Sequence, residues 1–137
     1  MIKIKYDMDL MKYMSLFETL TQAKLKDCIL GDRLLFIVEE GEIGKAIGKK
    51  GVNVRKMEGV LNKKIKLVEF SADVLQFVRN LIYPLHVKEV TKEEGNVIIA
   101  AHDTTTRSLL IGRDRKNLAD LMSIVKRYFD VEEIKVV

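Results

Sequence analysis

The stretch Gly44-Lys45-Ala46-Ile47-Gly48-Lys49-Lys50-Gly51-Val52-Asn53-Val54-Arg55 decides how this chain is read. At its centre two lysines stand between two glycines, a loop that lets backbone N–H groups close on a phosphate. A tetrapeptide of this kind is short enough to arise by chance. It returns in altered form 64 residues later, where Ile111-Gly112-Arg113-Asp114-Arg115 falls on Ile47-Gly48-Lys49-Lys50-Gly51. A loop that recurs at a fixed spacing belongs to a duplicated unit.

Sliding the chain on itself by 64 residues aligns much more than the loop. Asp9 falls on Asp73, each placed to cap a helix. Behind them Leu10, Tyr13, Met14 and Phe17 fall on Val74, Phe77, Val78 and Leu81, the apolar stripe of an amphipathic helix. Pro84 ends the second of these helices, and the first is expected to run to about Ala23. Gly31-Asp32 falls on Gly95-Asn96, and both dipeptides are expected to supply the positive φ of a tight hairpin turn. The returning strands, 34–38 and 98–101, align without a gap as continuous apolar runs, the pattern of central strands. A short helix follows in each half (42–47 and 105–111), then the loop. In the longer helix after it, Asn53, Val54, Met57 and Leu61 fall on Asn117, Leu118, Leu121 and Val125. Each half closes on a strand, 64–70 and 132–137, the second reached after a few extra residues. Each unit therefore reads helix–strand–strand–helix–loop–helix–strand, with three strands in one sheet and the helices on one of its faces. The fold class is α+β, with units at 1–71 and 72–137. Units this small have marginal cores, so the two are expected to pack on each other.

A helix–GxxG–helix unit with this strand order resembles the KH domain in its prokaryotic, type II arrangement. Two in tandem are similar to the KH pair of the NusA family of transcription termination and antitermination factors, in its short archaeal form. The resemblance covers nearly the whole chain and is strongest over 41–70, where the loop and Asn62-Lys63-Lys64-Ile65-Lys66-Leu67-Val68 follow the family's pattern. It implies a non-catalytic protein that binds single-stranded RNA on a nascent transcript, the loop clamping about four nucleotides. RNA polymerase or the transcription complex is the protein partner it implies. Bacterial members carry a polymerase-contacting domain and an RNA-binding barrel ahead of the KH pair, and this sequence holds neither. KH modules also serve ribosomes and their assembly, so a ribosome-associated factor acting on ribosomal RNA is the alternative.

The residues themselves agree with an RNA site. Gly44 and Gly48, four apart, leave one stripe of the short helix without side chains, and Gly48 and Gly51 keep the turn thin. Lys49 and Lys50 add charge whose contact with phosphate releases counterions. A helix starting near Val52 turns the positive end of its dipole to the same place. Ile43 and Ile47 are candidates for the apolar floor of a base groove, although core packing accounts for them equally well. Arg55 is a candidate for the groove's basic edge. In the second unit Ser108 and Gly112 keep the stripe small, but Asp114 replaces a loop lysine and Arg115 the second glycine. Arg115 is not expected to reach the conformation open to Gly51, and Asp114 is expected to cap the next helix instead. Gly112, Arg113 and Arg115 are therefore expected to meet RNA by charge rather than by a backbone clamp.

Charge is placed accordingly. Residues 41–66 hold eight basic side chains against two acidic ones, while the whole chain carries only +4. A local positive patch on a near-neutral body is the footprint of a polyanion site; a solvated helix face is the plain alternative. Cys28, the only cysteine, has no partner for an internal disulfide and lies in an apolar run, as a buried strand residue of an intracellular chain does. His86 and His102 lack ligand-spaced companions, so no metal or cofactor is expected. The loop lacks the glycine spacing and Ser/Thr of a nucleotide-binding P-loop, and no catalytic triad can be assembled, so no enzyme activity is expected. A pure protein-interaction module would gain nothing from glycines at 44, 48 and 51. The opening Met1-Ile2-Lys3-Ile4-Lys5-Tyr6 lacks the apolar core of a signal peptide, and no apolar run is long enough to span a bilayer. The chain is expected in the cytoplasm, with no membrane partner.

Overall fold

A computed structural model of the chain describes residues 8–137; the opening hexapeptide read above lies outside them. The chain divides into two compact units, Met1–Ser71 and Ala72–Val137, of α+β class. The first runs through α1 (Met8–Thr21), β1 (Leu25–Leu30), β2 (Leu34–Val38), α2 (Ile43–Ile47), a 3-10 turn at Lys49–Gly51, α3 (Val52–Leu61) and β3 (Ile65–Glu69). β2 is the middle strand, antiparallel to β1 and parallel to β3. A parallel pair cannot be joined by a hairpin and needs a crossover. Here the crossover is α2, the loop and α3, which is what fixes the loop between two helices packed on one sheet. Leu34, Phe36 and Val38 share one buried cluster with Phe17 of α1, Ala46 of α2 and Met57 of α3. Phe17 stacks on Phe36 with ring centroids 4.5 Å apart, a pairing worth about 0.5–1.5 kcal/mol beyond its buried area.

The second unit repeats the order with α4 (Val74–Ile82), β4 (Glu89–Glu93), β5 (Asn96–Ala100), α5 (Thr104–Ile111), a 3-10 turn at Arg113–Arg115, α6 (Lys116–Lys126) and β6 (Glu133–Val136). β5 is its middle strand, antiparallel to β4 and parallel to β6. Asp73 caps α4, its carboxylate accepting the Leu75 N–H at 3.0 Å. The extra residues ahead of β6 have a packing role. Tyr128 and Phe129 both set their rings 5.8 Å from the buried ring of Phe77.

Four local expectations are corrected. Asp9 lies within the first turn of α1 rather than capping it. The helix ends at Thr21, because Gln22 turns left-handed at φ 60° before Ala23 is reached. Gly31 and Asp32 do not take positive φ; Gly31-Asp32-Arg33 makes a three-residue connection closed by the Gly31 N–H on the Arg33 carbonyl at 3.1 Å. The second hairpin turns on Glu94 and Gly95, at φ 48° and 87°, the positive pair a type I′ turn requires, and Asn96 belongs to the strand. The unequal turns also shift the returning strands. Leu34 pairs with Ile65 and Val97 with Ile134, all four buried. The offset at that strand is therefore 63, and a one-residue slip exchanges its two faces.

Candidate nucleic-acid interface

The first loop leaves α2 at Gly48, whose φ of 77° and ψ of 169° lie in a region essentially restricted to glycine. Its N–H closes α2 on the Gly44 carbonyl at 3.0 Å, and the Gly51 N–H returns to the Gly48 carbonyl at 3.1 Å. Between them Lys50 is left-handed at φ 55°, ψ 28°, and Gly51 follows at φ 75°, ψ 19°. α3 begins at the next residue, so the positive end of its dipole lies at the loop. Lys45, Lys49 and Lys50 are all exposed.

Asn53 holds this turn in place. Its Nδ2 donates to the Lys45 carbonyl at 3.0 Å, which lays the amide against Gly48. A Cβ on Gly48 would stand 2.8 Å from Asn53 Cγ. Glycine is thus demanded there twice, by conformation and by space. Gly44 is different, since nothing lies within 4 Å of where its Cβ would be. The fold does not require glycine at that point, and its bare surface stays open although glycine costs a helix about 1 kcal/mol.

Arg55 donates from Nη1 to the Lys50 carbonyl at 2.6 Å. The sequence reading gave it the edge of a groove; the structure gives its guanidinium a carbonyl of the loop, where it braces a left-handed residue. Ile43 and Ile47 are separated as well. Ile43 packs against the core cluster, whereas Ile47 is 38% exposed and offers its surface to a ligand.

The second loop overturns an expectation. Gly112 (φ 76°, ψ 171°), Asp114 (φ 54°, ψ 29°) and Arg115 (φ 64°, ψ 19°) reproduce the backbone of Gly48, Lys50 and Gly51. A left-handed non-glycine residue costs on the order of 1–2 kcal/mol, and Arg115 adopts the conformation regardless. Asp114 makes no capping bond to α6. The scaffold is duplicated down to its hydrogen bonds. The Gly112 N–H donates to the Ser108 carbonyl at 2.8 Å, the Arg115 N–H to the Gly112 carbonyl at 3.2 Å, and Asn117 Nδ2 to the Leu109 carbonyl at 2.9 Å.

A groove of about 250 Å³ opens beside this second loop. Arg107, Ile111, Arg115 and Leu118 line one wall, and Glu133, Ile134, Lys135 and Val136 of the edge strand β6 line the other. The arginine that replaces the second glycine thus borders the groove, with the counterpart of Ile47 beside it. Arg107 is legible in the sequence as one of the cations around the second loop, whereas sequence reasoning missed Lys135 here, and it missed the role of Asn53 and Asn117. The coincidence of those two asparagines at the repeat spacing was the available signal.

Cys28 lies apart from this surface on β1, 1% exposed, and burial with the neighbouring Asp27 carboxylate pushes its thiol up to about 12. Such a thiol is inert as a nucleophile. Among the described residues no helix is long and apolar enough to cross a membrane.

Residues 12–95 match the family profile described as the KH domain. The probable transcription termination protein NusA of Methanocaldococcus jannaschii is 33% identical, over 100% of this chain and 77% of that protein. The protein of the same name from Methanococcus vannielii is 37% identical, over 99% and 81%. A solved structure titled crystal structure of APE1850 aligns with a TM-score of 0.72 at 28% identity, covering 96% of this chain and 100% of that one.

Proposed function

The chain belongs to the NusA family of KH-domain proteins, and on that footing we propose that it binds single-stranded RNA at residues 48–51 and acts in transcription termination or antitermination on nascent transcripts. The observation that carries the reading is the loop backbone. It turns through left-handed Lys50 and Gly51 directly into α3, with Lys49 and Lys50 exposed at its tip. A sugar–phosphate backbone lies on the bare stripe of Gly44 and Gly48, its phosphate facing the loop lysines and the positive end of α3. Bases turn towards Ile47. An unpaired strand suits the site because its bases are free to leave the stack and enter a narrow cleft. The second unit offers Gly112, Arg113 and Arg115 on an equivalent backbone beside its own groove, a second contact of the same kind.

Two to four phosphate contacts give a slope of about −1.4 to −3 for log affinity against log salt, at ~0.7 per contact on single strands. Equal affinity for duplex and single strand, or no binding at low salt, would sink the RNA reading. Crosslinking in cells tests the assignment to transcription. Nascent transcripts are the expected catch, and a catch confined to ribosomal RNA would replace that role with ribosome assembly.

A further inference from the structure

The outward face of α3 carries features that its own folding does not explain. Its inward side supplies Val54, Met57 and Leu61 to the core. On the other side stand Arg55, Lys56, Gly59 and Val60, all exposed, with exposed Lys63 just beyond the helix. Val60 is 63% exposed. Nothing lies within 4 Å of where a Gly59 Cβ would be, and its φ is not left-handed. Any helix former would fit there, yet the position holds a residue that weakens the helix. Lys56 and Lys63 have no carboxylate within ion-pair distance among the described residues. Glu58 faces elsewhere and accepts the Ile65 N–H at 3.0 Å. The matching surface of α6 is neutralised, with Ala119 and Asp120 at the repeat positions of Arg55 and Lys56. Asp120 pairs there with Lys116 at 3.1 Å. A cation just past a helix C-terminus complements the dipole, which accounts for Lys63 but not for Lys56 or Gly59.

We propose that this face is a second RNA contact, on which a strand held at residues 48–51 continues along α3 with its phosphates between Lys56 and Lys63 and its backbone against Gly59. The proposal rests on the RNA reading of the loop and extends the footprint beyond the roughly four nucleotides that such a loop clamps. The phosphate chain of RNA is favoured over an acidic protein by continuity. α3 starts at the residue after the loop, so its unpaired cations prolong the line begun by Lys49 and Lys50.

The test uses the full chain and two RNAs. One has about four nucleotides; the other has about twelve, long enough to leave the loop and cross the ~15 Å of α3. On the longer RNA, Lys56→Ser with Lys63→Ser should make the salt slope shallower by about 1.4, two contacts at ~0.7 each, and leave the shorter RNA unaffected. Gly59→Leu keeps the charge and favours the helix. It should weaken only the longer RNA, severalfold, without lowering the melting temperature. Equal slopes for parent and double variant on the longer RNA overturn the proposal and leave the face to an acidic protein. An equal loss on both RNAs overturns it too. A parent that binds neither RNA overturns the reading of the loop itself.

Discussion

Replacing Gly48 by alanine tests whether the loop is built as described, because two separate costs fall on one methyl group. The backbone at φ 77°, ψ 169° lies where a residue with a Cβ is strained by about 1–3 kcal/mol. The new Cβ would also stand 2.8 Å from both Cγ and Nδ2 of Asn53. Asn53 must then move and give up its 3.0 Å bond to the Lys45 carbonyl, a further ~1 kcal/mol. The expected loss is about 2–4 kcal/mol, a large share of what so small a unit holds at roughly 0.05–0.15 kcal/mol per residue. Gly51→Ala provides the contrast. Its φ of 75° and ψ of 19° are those of an ordinary left-handed residue, costing on the order of 1–2 kcal/mol. The nearest atom to its new Cβ would be Arg55 Nη1 at 3.5 Å, an ordinary contact.

Urea unfolding followed by alkylation of Cys28 is a suitable assay, since that thiol is buried inside the first unit and reports on it alone. The folded protein should resist alkylation near neutral pH, where burial holds the thiol at about 12. Combining Gly48→Ala with Asn53→Ala should cost less than the sum of the two, because the clash goes with the amide; couplings between touching residues run to about 0.5–3 kcal/mol. A Gly48→Ala protein within ~0.5 kcal/mol of the parent, the range of an ordinary surface change, would refute the reasoning. So would strict additivity with Asn53→Ala.

Lys49→Asp with Lys50→Asp, and separately Arg113→Asp with Arg115→Asp, should each weaken single-stranded RNA binding while melting stays close to that of the parent. Aspartate already occupies the Lys50 conformation at position 114; a second-loop variant that binds like the parent would show its groove to be idle. Arg55→Ala should lower affinity through a loosened loop yet leave the salt slope unchanged. A slope shallower by ~0.7 would instead make Arg55 a phosphate contact. Asp103 caps α5 by accepting the Thr106 N–H at 2.7 Å, and that bond holds its carboxyl below the usual range. The contribution of the cap is full above the ordinary carboxylate value and lost as pH falls through its own lower one. Protection of the Thr106 amide, its exchange rate taken relative to that of an unstructured chain at the same pH, should therefore fall only on acidification and stay flat in Asp103→Asn; a loss of protection at neutral pH would count against the cap.

What the sequence disclosed and what it hid divide along physical lines. The loop was legible because glycines at 48, 51 and 112 mark backbone that other residues avoid. The helices were legible because Leu10, Tyr13, Met14 and Phe17 carry a period that only a helix satisfies. The alignment of β2 with β5 was not, because all five residues from Leu34 to Val38 are buried. A run without alternation holds no information about which face is which. The hairpins hid their lengths for a related reason, since positive φ at Glu94 belongs to a residue that does not announce it. Arg55 and Asn53 were visible as residue types, but their targets are carbonyls five and eight residues back across a turn. A side chain that seeks a main-chain oxygen leaves no mark on the partner's identity.

Arg115 bears on how such a site diverges. Substituting glycine in a clamp loop is naturally read as loss of the clamp, yet the backbone survives with φ changed only from 75° to 64°. The restraint comes from the rest of the turn. Gly112 cannot accept a Cβ, because Asn117 Cγ would lie 2.6 Å from it, and Asn117 is tied to the Leu109 carbonyl. With those two positions kept, the residue closing the loop is held left-handed whatever its side chain, at a modest cost. Its identity is then free to change what the loop presents. At the first loop that is open space beside two lysines; at the second it is an arginine bordering the groove and an aspartate between two cations. The Gly–Asn pair preserves the geometry while the two residues between Gly112 and Arg115, with Arg115 itself, set the charge. Divergence at such a loop therefore alters how strongly a phosphate is held before it alters where the phosphate would sit.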